Sequence, residues 1–282
     1  MDLDRKRGRY FLKKILLVIT LLCTFVGVGT IGYSYKTYRE DKQTGEKIKS
    51  VAKKATDVKK DSPAATVEGD TDKTVAQEAQ KNFTPETDFT VDWAYLKSVN
   101  PDVVAWLYVP GTSMSYPILQ ESTVGQYYYL NHNMYGQYQV LGSLFMPALA
   151  DNTSKNQQLT VFGHNSFGWY GDVYFTHLYD WYDNASIAQY YKYAYVYYPD
   201  GRVETYENWS AVDTTTSDQV YELPVSDTTF ESRLDHIART SRYTLSDKPS
   251  SDSKIMVLST CEDVNSTERF YACFKLLQET KQ

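Results

Sequence analysis

Near the C-terminal end, Ile255-Met-Val-Leu-Ser-Thr-Cys261 is followed by Glu262-Asp-Val-Asn-Ser-Thr-Glu-Arg269 and then by Phe270-Tyr-Ala-Cys-Phe-Lys-Leu-Leu277. The first piece is an apolar run ending in a thiol, the second is polar, and the third is again rich in β-forming residues. Two such runs joined by about seven polar residues predict an antiparallel hairpin with an open loop. That hairpin would hold Cys261 and Arg269 close together at its mouth. A guanidinium beside a thiol favours the thiolate, and the thiolate is the nucleophile. A lone Cys in a strand is more often a core residue, so on these residues alone the catalytic and core readings both stand.

The same register addresses a disulfide. The chain has three Cys. Cys23 lies in an apolar N-terminal run, leaving Cys261 and Cys273 as the possible pair. With Cys261 opposite Arg269, Cys273 lies four residues further along its strand, roughly 14 Å away at about 3.4 Å per residue. A disulfide requires Cα atoms within about 7 Å. Two free thiols are expected, Cys273 inert and Cys261 open to reaction.

The 282 residues carry a net charge of −6, and the pI is near 5.3. No basic face for nucleic acid is implied. Residues 2–14 hold Arg5, Lys6, Arg7, Arg9, Lys13 and Lys14 against Asp2 and Asp4, and the eighteen residues from Ile15 to Gly32 carry no charge. This pattern predicts a transmembrane signal anchor over residues 1–35, with its N-terminus in the cytoplasm and the remainder of the chain outside the cell membrane. A cleaved signal peptide is the alternative. From Arg39 to Asn82 there is no aromatic residue, and Lys, Asp, Glu, Thr and Ala dominate. Residues 36–82 therefore read as a flexible extracellular tether. Of 42 aromatic residues, 36 lie from residue 83 onward, which sets the folded domain at 83–282.

Within that domain, Phe89–Val99 predicts a short helix with Phe89, Trp93 and Leu96 on one face, stopped at Asn100-Pro101. Short β-like runs follow at 103–109, 116–119, 140–146, 159–163, 193–198 and 203–212. Pro110-Gly111 and Pro199-Asp-Gly201 mark turns between them. Thr228 and Glu231 have capping-box spacing for a helix at about 229–242 that buries Phe230, Leu234, Ile237 and Ala238. The fold class is mainly β with peripheral helices, a small closed β-barrel.

A Cys nucleophile needs an acid or base partner. His164 follows a strand in Leu159-Thr-Val-Phe-Gly-His164-Asn-Ser-Phe-Gly168, where a side chain projects into a loop-lined cleft. His132 in Asn131-His-Asn133 is the rival. His177 and His236 fall in helical stretches and read as packing or surface positions. No HExxH, CxxC or clustered His/Cys spacing implies a metal, and no glycine-rich phosphate loop or GxSxG elbow implies a cofactor or a Ser nucleophile.

Asn100-Pro-Asp-Val-Val-Ala-Trp-Leu-Tyr-Val-Pro-Gly-Thr112, Ser115-Tyr-Pro-Ile118, Gly142-Ser-Leu-Phe145, Phe162-Gly-His-Asn165 and Leu258-Ser-Thr-Cys261 with Arg269 together resemble the sortases. These are membrane-anchored cysteine transpeptidases of Gram-positive bacteria. The resemblance runs over about residues 88–277 and is most like class B, in the Asn-Pro-Asp opening and the helix near 229–242. It departs after His164, where Ser166-Phe-Gly-Trp-Tyr-Gly171 stands in place of the Met-Lys-Asp-Gly-like run usual in that class. The resemblance implies that Cys261 attacks a backbone carbonyl of a C-terminal sorting motif and that a primary amine releases the thioacyl intermediate. It implies His164 as general acid and base, Arg269 as oxyanion and substrate clamp, and Ser259 and Glu262 as groove-lining residues. The implied partners are sorting-motif surface proteins or pilins, with a cell-wall peptide amine or a pilin Lys as acceptor. A hydrolytic cysteine protease on the same scaffold and a non-enzymatic tethered domain are the competing readings.

Overall fold

The computed structural model describes residues 42–54, 89–121, 123–150, 156–166, 171, 173–181, 184–223, 227–261 and 266–282, with 33, 35, 36 and 38–40. The chain divides into two units, 1–44 and 45–282. The described residues of the first are helical. The second contains, in chain order, β1 (Ala52–Lys54), β2 (Phe89–Val91), α1 (Trp93–Val99), β3 (Val103–Tyr108), β4 (Ser115–Leu119), β5 (Leu144–Phe145), β6 (Gln158–Phe162), α2 (Thr176–Asp180), α3 (Ala185–Tyr190), β7 (Tyr193–Tyr197), β8 (Arg202–Thr215), α4 (Asp227–Thr240), β9 (Ser241–Thr244), β10 (Ile255–Cys261) and β11 (Glu268–Lys281). Short 3-10 turns lie at Tyr128–Leu130 and Gln219–Tyr221.

Eight strands pair in the order β11-β10-β6-β5-β4-β3-β7-β8, and β8 pairs back onto β11, closing the expected barrel. β9 adds to the outer part of β8. The hairpin has the register read from the sequence: Ile255 faces Lys275, Val257 faces Cys273 and Cys261 faces Arg269. Its strands are apolar on both faces because both are covered. Met256, Leu258, Phe270, Ala272 and Phe274 belong to the barrel interior. Ile255, Val257, Tyr271 and Cys273 join a second cluster with Phe230, Leu234 and Ile237 of α4. Each of those three helix side chains is fully buried, contributing about 1.5–3 kcal/mol by removal from water.

Several expectations are corrected. The first helix starts at Trp93, with Asp92 as N-cap accepting from Tyr95 N–H at 2.9 Å, and Phe89–Val91 is a strand paired with β1. In the run 140–146 only Leu144 and Phe145 are in a strand, and Val140 is exposed. The helix expected from 229 begins at Asp227, so Thr228 sits inside it. Ala238 is exposed, and Arg233 takes a buried place on the inner face instead. Its guanidinium replaces water with protein acceptors, which periodicity does not register.

The expected tether differs in its first part. Residues 42–49 are helical, Ile48 is buried in the main core, and Val51 and Ala52 pack against it. Three apolar residues at i, i+3 and i+4 in a charged stretch were too sparse a signal against the absence of aromatics. The basic flank, the apolar segment 15–32 and residues 55–82 lie outside the described residues. Among the described residues, no helix is long and apolar enough to cross a membrane.

Candidate active site

The site forms where β6, β10 and β11 meet at one end of the barrel. β10 runs parallel to β6, with Ser259 opposite Phe162. Two residues further on, Cys261 ends β10, while His164 lies in the loop just after β6. On the other side β11 places Arg269 opposite Cys261. Positions 261 and 269 are thus strand partners, with backbones about 4.8 Å apart, and His164 follows the end of the strand on the other side of β10.

Gly163 makes the approach to His164 possible. A Cβ there would lie 2.3 Å from Leu144 Cδ2 and 2.7 Å from Phe175 Cδ2. Gly163 N–H donates to Ser259 O at 3.2 Å and His164 O accepts from Phe175 N–H at 3.2 Å, so the loop is tied to β10 and to the segment before α2. The His164 ring bonds through Nε2 to Leu130 O at 2.8 Å. Burial pushes the imidazole below its ordinary pKa, the Leu130 carbonyl opposes this, and the Arg269 charge adds to the lowering. Arg269 is held at the hairpin mouth by two carbonyls, its Nη1 donating to Ser266 O and Glu268 O at 2.7 Å each.

His164 and Arg269 both border a cleft of about 330 Å3, with Ser259 and Thr260 on its floor. An aromatic wall lines one side. Phe162 lies between Phe145 at 5.6 Å and Tyr221 at 5.5 Å, and Tyr127 meets both Phe145 and Phe162 edge-on at 6.2–6.3 Å. Tyr221 OH and Ser259 Oγ are 2.7 Å apart. The turn carrying Tyr221 is fixed by Asp218 Oδ1, which accepts from Val220 N–H at 2.8 Å. Arg233 adds bonds to Val220 O at 3.3 Å and Glu222 O at 2.9 Å while also holding Gln158 Oε1 at 2.7 Å. The buried Thr260 hydroxyl has no hydrogen-bond partner among the described residues. An apolar trough with a few fixed polar groups at one end suits an extended peptide whose backbone requires orientation.

The expected residues separate clearly. His164, Arg269 and Ser259 border the cleft, and Cys261 occupies the strand position between the first two. Glu262 and residues 167–170 of the divergent loop lie outside the described residues. Its flanks are fixed, with Ser166 Oγ donating to Gly171 O at 2.7 Å. Cys273 is a free, fully buried thiol whose pKa burial pushes well up. The rival His132 is stacked on Tyr128 at 4.0 Å, with Nδ1 bonded to Tyr128 O at 2.9 Å. His177 pairs with Asp180, and His236 with Asp218. Sequence reasoning missed Tyr127, Leu130, Thr216, Tyr221 and Thr260. Thr260 stood inside a quoted motif, but the others carry no local signal, because long-range packing brings them to the cleft.

No family model matches the chain. Sortase B of Listeria monocytogenes serovar 1/2a is 30% identical over 179 residues, covering 62% of this chain and 68% of the relative. Sortase B of Staphylococcus aureus (strain NCTC 8325 / PS 47) is 28% identical over 188 residues, covering 65% and 73%. The crystal structure of a sortase B complexed with triglycine superposes with a TM-score of 0.58 at 25% identity, covering 73% of this chain and 92% of that one.

Proposed function

The chain belongs to the sortase family, in its B-like class, and is on that footing a cysteine transpeptidase; we propose that Cys261 is its nucleophile, His164 its acid and base, and Arg269 its oxyanion clamp. The observation that supports this reading is that Arg269 pairs with position 261 across the hairpin and borders, with His164 just beyond the end of β6, one apolar cleft.

In the proposed sequence the Cys261 thiolate adds to a backbone carbonyl carbon of the sorting motif, forming a C–S bond and moving an electron pair onto the carbonyl oxygen. The Arg269 guanidinium stabilises that oxyanion; removal of such a group costs on the order of 3–4 kcal/mol in the barrier. Collapse breaks the C–N bond, and the His164 imidazolium gives its proton to the leaving nitrogen. The lowered pKa of His164 makes the imidazolium a stronger acid for this step. A primary amine then attacks the thioester, losing its proton to His164, and the C–S bond breaks to return thiolate and imidazolium. Ser259, tied to the Tyr221 hydroxyl, and Glu262 are proposed to line the substrate path.

The acceptor is proposed to be a cell-wall peptide amine or a pilin Lys, in keeping with the relative crystallised with triglycine. The uncharged segment 15–32 behind a basic flank supports a single-pass anchor, with a tether leading to the catalytic domain outside the cell. The test uses the full chain, because truncation at residue 83 would remove β1 and Ile48 from the folded body. Candidate sorting-motif peptides are mixed with triglycine or a Lys-bearing pilin peptide, and products are weighed by mass spectrometry. A ligated product is expected. Release of free acid alone under every amine would replace transfer with hydrolysis.

A further inference from the structure

The side chains of Asn100 and Asp102 both bond the Tyr129 hydroxyl, one residue before the cleft-lining Leu130. Asn100 is buried and uses both ends of its amide. Oδ1 accepts from Asp102 N–H at 2.9 Å, while Nδ2 donates to Tyr129 OH at 2.8 Å and to Met134 O at 3.0 Å. Tyr129 OH in turn donates to Asp102 Oδ2 at 2.6 Å. An Asp at 100 would accept but not donate, and an Ala would do neither. Burial first, and then Asp102, hold the Tyr129 phenol above its ordinary range, so it remains a donor at all working pH values.

Tyr129 is the middle residue of the 3-10 turn Tyr128–Leu130. The turn's three successive carbonyls are all taken by donors from outside it. Tyr128 O accepts from His132 Nδ1–H at 2.9 Å, Tyr129 O from Ser143 N–H at 3.0 Å, and Leu130 O from His164 Nε2–H at 2.8 Å. Gly142 presses on the same carbonyls at φ 56°, where a Cβ would lie 2.2 Å from Tyr129 O and 2.4 Å from Leu130 O. A side chain at 142 would force the Leu130 carbonyl away from its place. A carbonyl oxygen only accepts, so His164 Nε2 carries the hydrogen, and a neutral ring keeps its lone pair on Nδ1.

We propose that Asn100, Asp102, Tyr129 and Gly142 are positioning residues that fix the Leu130 carbonyl and, through it, the Nε2–H tautomer and ring orientation of His164. The turn is tied on one side by the Tyr129 phenol and its two partners, and its carbonyls are met on the other by Gly142. It therefore has little freedom to drift when substrate enters. This inference rests on His164 as the acid and base of the transfer. Arg269 from β11 is the charged group acting on the same ring, and position 261 of β10 is its strand neighbour.

The test follows the four histidines in the full chain, labelled with 15N-histidine and kept in detergent, with His164 assigned by His164→Gln. Its neutral form is expected as the Nε2–H tautomer, titrating below the ordinary His value. In Tyr129→Phe, which keeps ring volume, and in Asn100→Asp, mixed tautomers and a lower midpoint are expected, since the carbonyl that favours the protonated ring is loosened. In the same variants kcat should fall tenfold to a hundredfold with KM within about twofold, the pattern of a misplaced reacting group. Gly142→Ala should show the same shifts more strongly. An unchanged tautomer and midpoint in folded Tyr129→Phe and Asn100→Asp would overturn the positioning role and leave the assignment of His164 intact. A shifted tautomer with undiminished kcat would uphold the positioning and remove His164 from the chemistry.

Discussion

β10 starts at one pole of the barrel and ends at the other, and the two poles treat polar groups in opposite ways. At its start Lys254 meets Glu204, a carboxylate buried completely. Glu204 Oε1 also accepts from Arg202 Nη1 at 2.5 Å, and Oε2 accepts from Tyr198 OH at 2.7 Å and Tyr206 OH at 2.6 Å. Burial, with the Glu204 charge behind it, pushes both phenols well above their ordinary range. Every strong group there is committed to another. At its end Cys261 stands between His164 and Arg269, and the neighbouring Thr260 hydroxyl is buried without a partner among the described residues. A saturated polar cluster holds the strand in register, and the groups at the other end are presented to a cleft. On the proposed assignment, the difference separates a charge network that serves stability from one that is available for chemistry.

Substitutions at the two poles should therefore move different measurements. The largest effect on turnover is expected from Cys261→Ala, which should abolish ligation while shifting unfolding free energy by no more than about 1–2 kcal/mol; a collapse of stability would make Cys261 a core residue. Arg269→Lys comes next, with kcat reduced by about a hundredfold or more, since an ammonium does not reproduce the planar fork. A near-normal rate would exclude Arg269 from the oxyanion site. At the closed pole, Glu204→Leu should leave kcat near wild type yet lower the unfolding free energy by about 3–5 kcal/mol, because two cations lose a buried partner. Parallel losses of rate and stability would erase the distinction between the poles.

The smallest effect is expected in the loop leading to Tyr127. Glu121 accepts from Thr123 Oγ1 at 2.6 Å and from the amides of Thr123, Val124 and Gly125 at 2.5–2.8 Å. These bonds, the Thr123 hydroxyl foremost, lower its pKa to about 2. A carboxyl more acidic in the folded chain stabilises it above the unfolded value of about 4.5, and that contribution drains away as pH falls toward 2. Glu121→Gln should accordingly be less stable than wild type at pH 7, with the gap closing in acid. A gap that persists at pH 2 would assign the loop's stability to something other than the ionised carboxylate.

The hairpin was legible because its partners are close in sequence. An apolar run, a polar turn and a second run leave one economical pairing, and Cys261 opposite Arg269 follows from counting residues. The same counting removed the disulfide, and Cys273 is free and buried opposite Val257. His164 was legible as a strand-end residue next to a glycine. Its orientation was not, for the carbonyl that holds it lies 34 residues earlier, in a turn with no pattern of its own. Ala238 and Arg233 exchanged places for a related reason. Periodicity ranks side chains by hydrophobicity, whereas Arg233 is buried because Gln158, 75 residues away, and two turn carbonyls replace its water. The sequence by itself determined the hairpin register and the mainly β class, which local pairing and the run of short strands dictate, while the triad of positions 164, 261 and 269 came from the resemblance to the sortases. Only the tertiary structure decided the aromatic wall of Tyr127, Phe145, Phe162 and Tyr221, the saturated cluster around Glu204 and the carbonyl that orients His164. Each depends on donors and rings from distant strands that meet when the barrel closes.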